Sequence, residues 1–198
     1  MKSPKKRNFS SFTLSEAYKE VGIEELSEWQ VNFKPIKPSD YFYENMRRLK
    51  VFDLTSNETA KTLIIDAFLE ESLQPHRNLK AWKEPVLESE TLNGIADYLI
   101  AKRRDYLDLP FLCAVEAKKD DFEQGLAQCL VEMKACKEAN LKEGKDIDIY
   151  GIVTNGELWH FYKFANNQVY SSQPFINAEA NKLIGMLDYV FAECEKNI

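Results

Sequence analysis

Asn93-Gly-Ile-Ala-Asp-Tyr-Leu-Ile100 and Pro110-Phe-Leu-Cys-Ala-Val-Glu-Ala-Lys-Lys119 are two apolar runs, and each carries charge where burial is expected. Residues two apart on a strand share a face. Glu116 and Lys118 therefore project together from a strand that is otherwise apolar from Phe111 onward. Asp97 shares a face with Ile95 and Leu99, in the middle of a second strand of buried character. Buried charges are costly unless they pair or bind metal. Two explanations stand. Carboxylates on neighbouring strands suit an oxygen-loving divalent cation, Mg2+ or Mn2+. Such a cation would polarise a phosphoryl oxygen and make its bound water more acidic. A lysine beside it would orient that water or stabilise charge in the transition state. Alternatively, an Asp–Lys or Glu–Lys pair does no more than tie the strands together.

The flanking sequence predicts the elements around these runs. Thr13-Leu-Ser-Glu16 reads as a capping box opening a short helix through about Lys19. Lys34-Pro-Ile-Lys-Pro38 is a linker, after which Ser39-Asp40 cap a helix to about Lys50. Ser56 or Asn57 caps a third helix, with Leu63, Ile64, Ala67, Phe68 and Leu73 at helical spacing, and Gln74-Pro75 ends it. Trp82 to Glu88, Leu92 to Ala101 and Phe111 to Lys118 read as three strands. A long helix from about Asp121 to Ala139 carries a stripe of Phe122, Leu126, Cys129, Met133 and Cys136. Ile147 to Val153 and Leu158 to Phe164 flank Asn155-Gly156, a strong hairpin signal, and a helix from about Ala178 to Cys194 follows. The predicted fold class is α/β, a mixed central sheet flanked by helices in the order αβββαβ, with an extra hairpin strand and terminal helices. Residues 1–54 form a helical extension packed on a single globular unit over 55–198.

Composition narrows the function. At 44% hydrophobic and 29% charged residues the chain reads as a globular protein, and no apolar run approaches the roughly 18–20 residues of a membrane span. The basic start is not followed by an apolar stretch, so no secretory signal is read and a cytoplasmic location is expected. That start either frays or touches nucleic acid. Cys113, Cys129, Cys136 and Cys194 form no CxxC pair, and the two histidines, His76 and His160, lie far from them. Structural zinc is not expected, and the cysteines read as reduced thiols, mostly in the core. A net charge of −6 excludes a protein that coats nucleic acid non-specifically but leaves room for a local acidic site.

Asp97, eighteen intervening residues and then Glu116-x-Lys118 resemble the D-(X)n-(D/E)XK signature of the restriction-endonuclease-like superfamily. Gly94-x-x-Asp97-Tyr98, Val115-Glu116-Ala-Lys-Lys119 and Gln128 in the next helix look like the nuclease domain at the start of type I restriction enzyme R subunits. The run from Glu116 to Gly125 also resembles small bacterial proteins with this core, and the resemblance covers roughly residues 55–165. It implies a Mg2+- or Mn2+-dependent endonuclease hydrolysing DNA phosphodiester bonds, in restriction or DNA processing. Asp97 and Glu116 would be metal ligands, Lys118 the catalytic lysine and Gln128 part of the site. Glu58 falls where the superfamily often places a further glutamate. It is either a ligand or water holder, or a helix-start glutamate favoured by the dipole.

Ala96-Asp97 stands where the superfamily's Pro-Asp is expected, and nothing matches a G-x-x-x-x-G-K-[ST] phosphate loop. No nucleotide cofactor is therefore expected, and a motor would have to come from a partner. DNA is the expected partner, with partner proteins or a homo-oligomer open. Lys102-Arg103-Arg104 reads as a solvated turn, with backbone phosphate contact as the other option. Trp159 to Phe164 reads as core packing rather than base stacking. Two rival functions remain: a catalytically silent nuclease-fold module that binds DNA or protein, and an acidic adaptor meeting a basic partner.

Overall fold

Thr13 Oγ1 accepts from the backbone of Glu16, and Glu16 accepts from Thr13 N at 2.9 Å, completing the capping box. In the computed structural model, which describes residues 6–54, 58–118 and 120–198, this box opens α1 (Leu14–Val21), after β1 (Arg7–Asn8). There follow β2 (Ser27–Glu28), α2 (Asp40–Leu49, capped by Ser39) and α3 (Glu58–Leu73). The expected caps of α3, Ser56 and Asn57, lie outside the described residues. Next come β3 (Leu79–Lys83), β4 (Val86–Glu88), β5 (Leu92–Ile95), β6 (Tyr98–Lys102), β7 (Phe111–Ala117) and α4 (Phe122–Lys142). The chain continues with β8 (Ile149–Thr154), β9 (Leu158–Ala165), β10 (Gln168–Ser171), β11 (Phe175–Ile176) and α5 (Ala180–Glu195).

Two expected strands are each divided. The stretch from Trp82 to Glu88 breaks at Glu84-Pro85, where Glu84 takes a positive φ of 50° and Pro85 has no N–H for a ladder. The stretch from Leu92 to Ala101 breaks at Ala96-Asp97. The excised pieces, β4 and β5, pair antiparallel and join β1 in a small second sheet. Gly94 on β5 is required there, since a Cβ would sit 2.4 Å from the Phe9 ring.

The main sheet runs β2-β10-β9-β8-β7-β6-β3, with β11 on β9. β3, β6 and β7 are antiparallel neighbours, and β8 lies parallel to β7 after the α4 crossover. Among the described residues the fold is thus mixed α/β, with five α-helices around a large mixed sheet. One core gathers α2, α3 and α5 residues such as Phe42, Phe68 and Leu187 against Val115, Ala117 and Trp159. The other sets α1 and α4 residues such as Ala17, Leu130 and Met133 against Leu99, Val153 and Tyr162. Burying side chains of this size stabilises by roughly 1.5–3 kcal/mol each. Trp159, Phe161 and Phe164 are buried, as packing requires, and Arg103 and Arg104 are exposed. All four cysteines are buried and unbridged. Among the described residues, no helix is long and apolar enough to cross a membrane.

Candidate active site

β7 alternates across the two cores. Val115 and Ala117 face the α3–α5 side, which sends Glu116 toward α4. Glu116 is 0% exposed, and the Lys118 ammonium lies 2.5 Å from its Oε1. This ion pair lies within one strand end and does not bridge strands. Lys118 follows the last residue of β7 and keeps the ladder by donating its backbone N–H to Thr154 O at 2.9 Å. Its stem is pressed by the start of α4, where a Cβ on Gly125 would meet Lys118 Cγ at 2.9 Å and Val153 Cγ1 at 2.7 Å.

Asp97 is not in the middle of a strand. It stands in the gap between β5 and β6, and Ile95, expected to share a buried face with it, is 57% exposed. The gap frees the Asp97 carboxylate to accept the Ala117 N–H at 2.7 Å, while its carbonyl accepts from Glu84 N at 2.9 Å. Asp97 and Glu116 are close enough for the charge of Asp97 to bear on Glu116. Asp97, Thr59, Thr62, Lys83, Glu84 and Tyr98 line a cleft of about 310 Å3. Tyr98 Oη and Lys83 Nζ both contact the Asp66 carboxylate, at 2.9 and 2.8 Å, which ties α3 to the cleft wall.

Glu58 begins α3, close to Thr59 and Thr62 in the cleft wall, but its side chain lies outside the described residues, as does Lys119. Gln128 is buried rather than solvated. Gln124 reaches Ser10 O at 3.3 Å.

Glu132 escaped the sequence reading. It sits one turn beyond Gln128 on α4, is fully buried, and accepts from Gln128 Nε2 at 3.2 Å. It lies near enough to Glu116 for the charge of Glu116 to bear on its carboxyl. The signal was present in the i, i+4 spacing from Gln128 and in a lone acid among Leu130, Val131 and Met133. The Cys129–Met133–Cys136 stripe hid it.

Electrostatics follow from enclosure. Burial, and then the charge of Asp97, push the Glu116 carboxyl up to about 8 against the pull of Lys118. Burial, with Glu116 next, holds Glu132 well above the usual range. Burial also raises Asp97, although the Ala117 N–H opposes it. The arrangement accumulates acidity that a cation or protons must offset. Yet among the described residues no group of three or more His, Cys, Asp or Glu is placed to hold a metal ion.

No protein-family model matches the chain. Over 58 residues, 29% of the chain, it is 41% identical to Crinkler effector protein 5 of Phytophthora infestans, and the match spans 16% of that protein. A match of that extent leaves the family open, and it does not bear on the restriction-endonuclease-like resemblance.

Proposed function

We propose that the chain is a divalent-cation-dependent nuclease of the PD-(D/E)XK type, hydrolysing phosphodiester bonds in DNA. One observation carries this reading: Asp97 lines a cleft and is held by the Ala117 N–H, and the residues on either side of Ala117, Glu116 and Lys118, form a largely buried ion pair within reach of the Asp97 charge. The order α3, three antiparallel strands, α4 and a parallel β8 supports it, since the resemblance implies that order. The donors suit Mg2+ or Mn2+ chemically, because both are carboxylates and Glu116 Oε2 is buried without a hydrogen-bond partner. Asp97 and Glu116 would hold the cation, which when bound polarises a phosphoryl oxygen and acidifies its water. Lys118 would place its ammonium against the charge that develops on the phosphoryl group. Ala117 fixes Asp97 through its N–H, so the acid is oriented before substrate arrives.

The test is cleavage of supercoiled plasmid and single-stranded DNA with Mg2+, Mn2+ or EDTA. The wild type should cut with metal only. Asp97→Ala, Glu116→Ala and Lys118→Ala should each lose on the order of a hundredfold or more in rate while remaining folded. Cleavage unchanged in all three places the chemistry elsewhere. A second reading, the catalytically silent nuclease-fold module, is favoured by the lack of a three-ligand group among the described residues. A wild type inert with every metal, yet retaining DNA on a gel, would establish that module instead.

A further inference from the structure

The cleft at Asp97 does not end at its own wall. Thr59, Thr62 and Lys83 line it and also line a second hollow of about 500 Å3, which Phe52, Asp53 and Asp66 help to enclose. Phe52 is 57% exposed and Val51 beside it 81%, although large apolar side chains are usually buried. Their placement is firm. Phe42 of α2 packs on Phe68 of α3 with ring centres 4.9 Å apart, and Glu71 of α3 accepts from Ser39 N and Ser39 Oγ at 2.6 and 2.8 Å. Val51 N donates to Arg48 O and Phe52 N to Leu49 O, so the chain winds off α2 directly into Phe52. Thus α3 carries Thr59, Thr62 and Asp66 to the hollow and also holds the helix that delivers Phe52 to it.

Charge decides what can enter. Among the described lining residues of this hollow, Asp53 and Asp66 set two carboxylates against one ammonium, that of Lys83, which Asp66 holds at 2.8 Å. Such a lining repels a phosphate but not an uncharged base. The end of α2 is the opposite. It exposes Arg47, Arg48 and Lys50, and Glu44 offsets one of those three charges. An aromatic face at the hollow and cations on the turn leading to it fit a strand whose base stacks while its backbone meets the arginines. A duplex keeps its bases paired and stacked, and extruding one is costly. Hollows of about 310 and 500 Å3 are also of single-ligand size, too small to admit a duplex.

We propose that the substrate strand entering the Asp97 cleft is unpaired DNA, with a base stacked on Phe52 and its backbone against Arg47 and Arg48. This rests on the nuclease reading, which puts the scissile bond at Asp97 and Glu116.

Fluorescence anisotropy of the full chain with a labelled thymidine oligomer of about twelve nucleotides, in EDTA so that nothing is cut, tests the proposal. The wild type should bind this strand about tenfold or more tighter than a hairpin duplex of similar charge. Phe52→Ala and Phe52→Leu should each lose about fivefold or more, whereas Phe52→Trp, which still stacks, should stay within about twofold. Phe52 is more than half exposed, so these variants leave the core intact. Arg48→Gln should weaken both DNAs and reduce the salt slope of log affinity for the single strand by about 0.7. Wild-type affinity in Phe52→Ala, equal affinity for strand and duplex, or no binding of either overturns the proposal. Affinity kept by Phe52→Leu would reduce the ring to a plain apolar contact and overturn it as well. An unchanged salt slope in Arg48→Gln overturns the path along α2. Plasmid cleavage by the wild type separates this inference from the nuclease reading. Metal-dependent cutting with no Phe52 effect on binding leaves the nuclease reading standing alone. Strand binding through Phe52 without cutting in any metal supports the stacking and removes the nuclease reading.

Discussion

Asp97 is where a single side chain decides between rival accounts of the site. Burial disfavours its charged form, and the Ala117 N–H recovers only part of the loss. A group whose folded pKa is raised adds stability below its unfolded pKa and loses it as pH rises through the folded value. At neutral pH and without metal, the Asp97 charge therefore costs stability. Asp97→Asn keeps an acceptor for Ala117 and removes that charge, so the apo protein should be more stable than wild type at neutral pH. Millimolar Mn2+ should raise the melting temperature of the wild type, by binding only the native state, and leave the variant unmoved. Urea and thermal melts of both proteins decide it. A destabilised variant, with neither protein responding to metal, would mean that Asp97 is a structural partner. Much of this site was legible because Glu116 and Lys118 obey the two-residue period of a strand. Asp97 was found for a partly mistaken reason, since its burial comes from a strand gap rather than a strand face. Glu132 was invisible because a helix stripe of Cys129, Met133 and Cys136 explains α4 without it.

At the scale of elements, turns and caps carry the most local information. β9 and β10 meet at Asn166-Asn167, whose φ angles of 51° and 58° are both positive. Their register closes on a two-residue loop, Ala165 opposite Gln168. Positive φ at both central positions marks a type I′ turn, in which asparagine is tolerated and alanine is not. The double substitution of Asn166 and Asn167 by alanine should therefore destabilise by on the order of 2 kcal/mol, given about 1–2 kcal/mol per left-handed residue. Asn167→Gly should be neutral or better. Chemical denaturation measures both, and an alanine variant as stable as wild type would show that this turn does not constrain the sheet edge. The same signal, Asn-Asn after an apolar strand, passed unread because β10 is short and polar. Helices were legible to within a few residues, through the Thr13–Glu16 box, Ser39 and the apolar spacing of α3. The Asn155-Gly156 hairpin was legible too, with Gly156 at a φ of 83°. The division of β3 from β4 and of β5 from β6 was not. Apolar residues resume at once after Glu84-Pro85 and after Ala96-Asp97, so each stretch reads as continuous, while the distant pairing of β1 with β5 sets the second sheet apart.

Over the whole molecule, acids of opposite tendency occupy different places, and pH should separate them. Glu16 and Glu44 at the surface are held near 2, chiefly by Arg7 and by Arg47 with Arg48, so any stability they confer is lost as pH falls below about 4. Glu195 is also lowered. Burial pushes it up, but the combined hydrogen bonds from His76, which is held between Asp188 and Glu195 at 3.0 Å each, and from the Asn78 backbone outweigh that. Glu116 works in the opposite direction. Its folded carboxyl titrates at about 8 against an unfolded value near 4.5, so the native state retains a proton that the unfolded chain releases. Stability from this source is complete below about pH 4.5 and declines up to about pH 8, by at most about 1.4 kcal/mol per pH unit. His160, lowered by burial, favours the folded state as pH rises and partly offsets the decline below its usual value. The apo protein should therefore be most stable near pH 5 and lose on the order of 1–3 kcal/mol by pH 8. A bound cation requires deprotonated ligands, so Mn2+ should stabilise more at pH 8 than at pH 6 and flatten the profile. Glu116→Gln should make the decline shallower without metal, leaving the smaller contributions of Asp97 and Glu132 against the rise from His160. Urea unfolding from pH 5 to 8.5, with and without Mn2+, measures all three profiles. An apo wild type that gains stability toward pH 8 would mean that Lys118 fully compensates Glu116 as a charged pair, and the site would then hold no acidity for a metal to relieve.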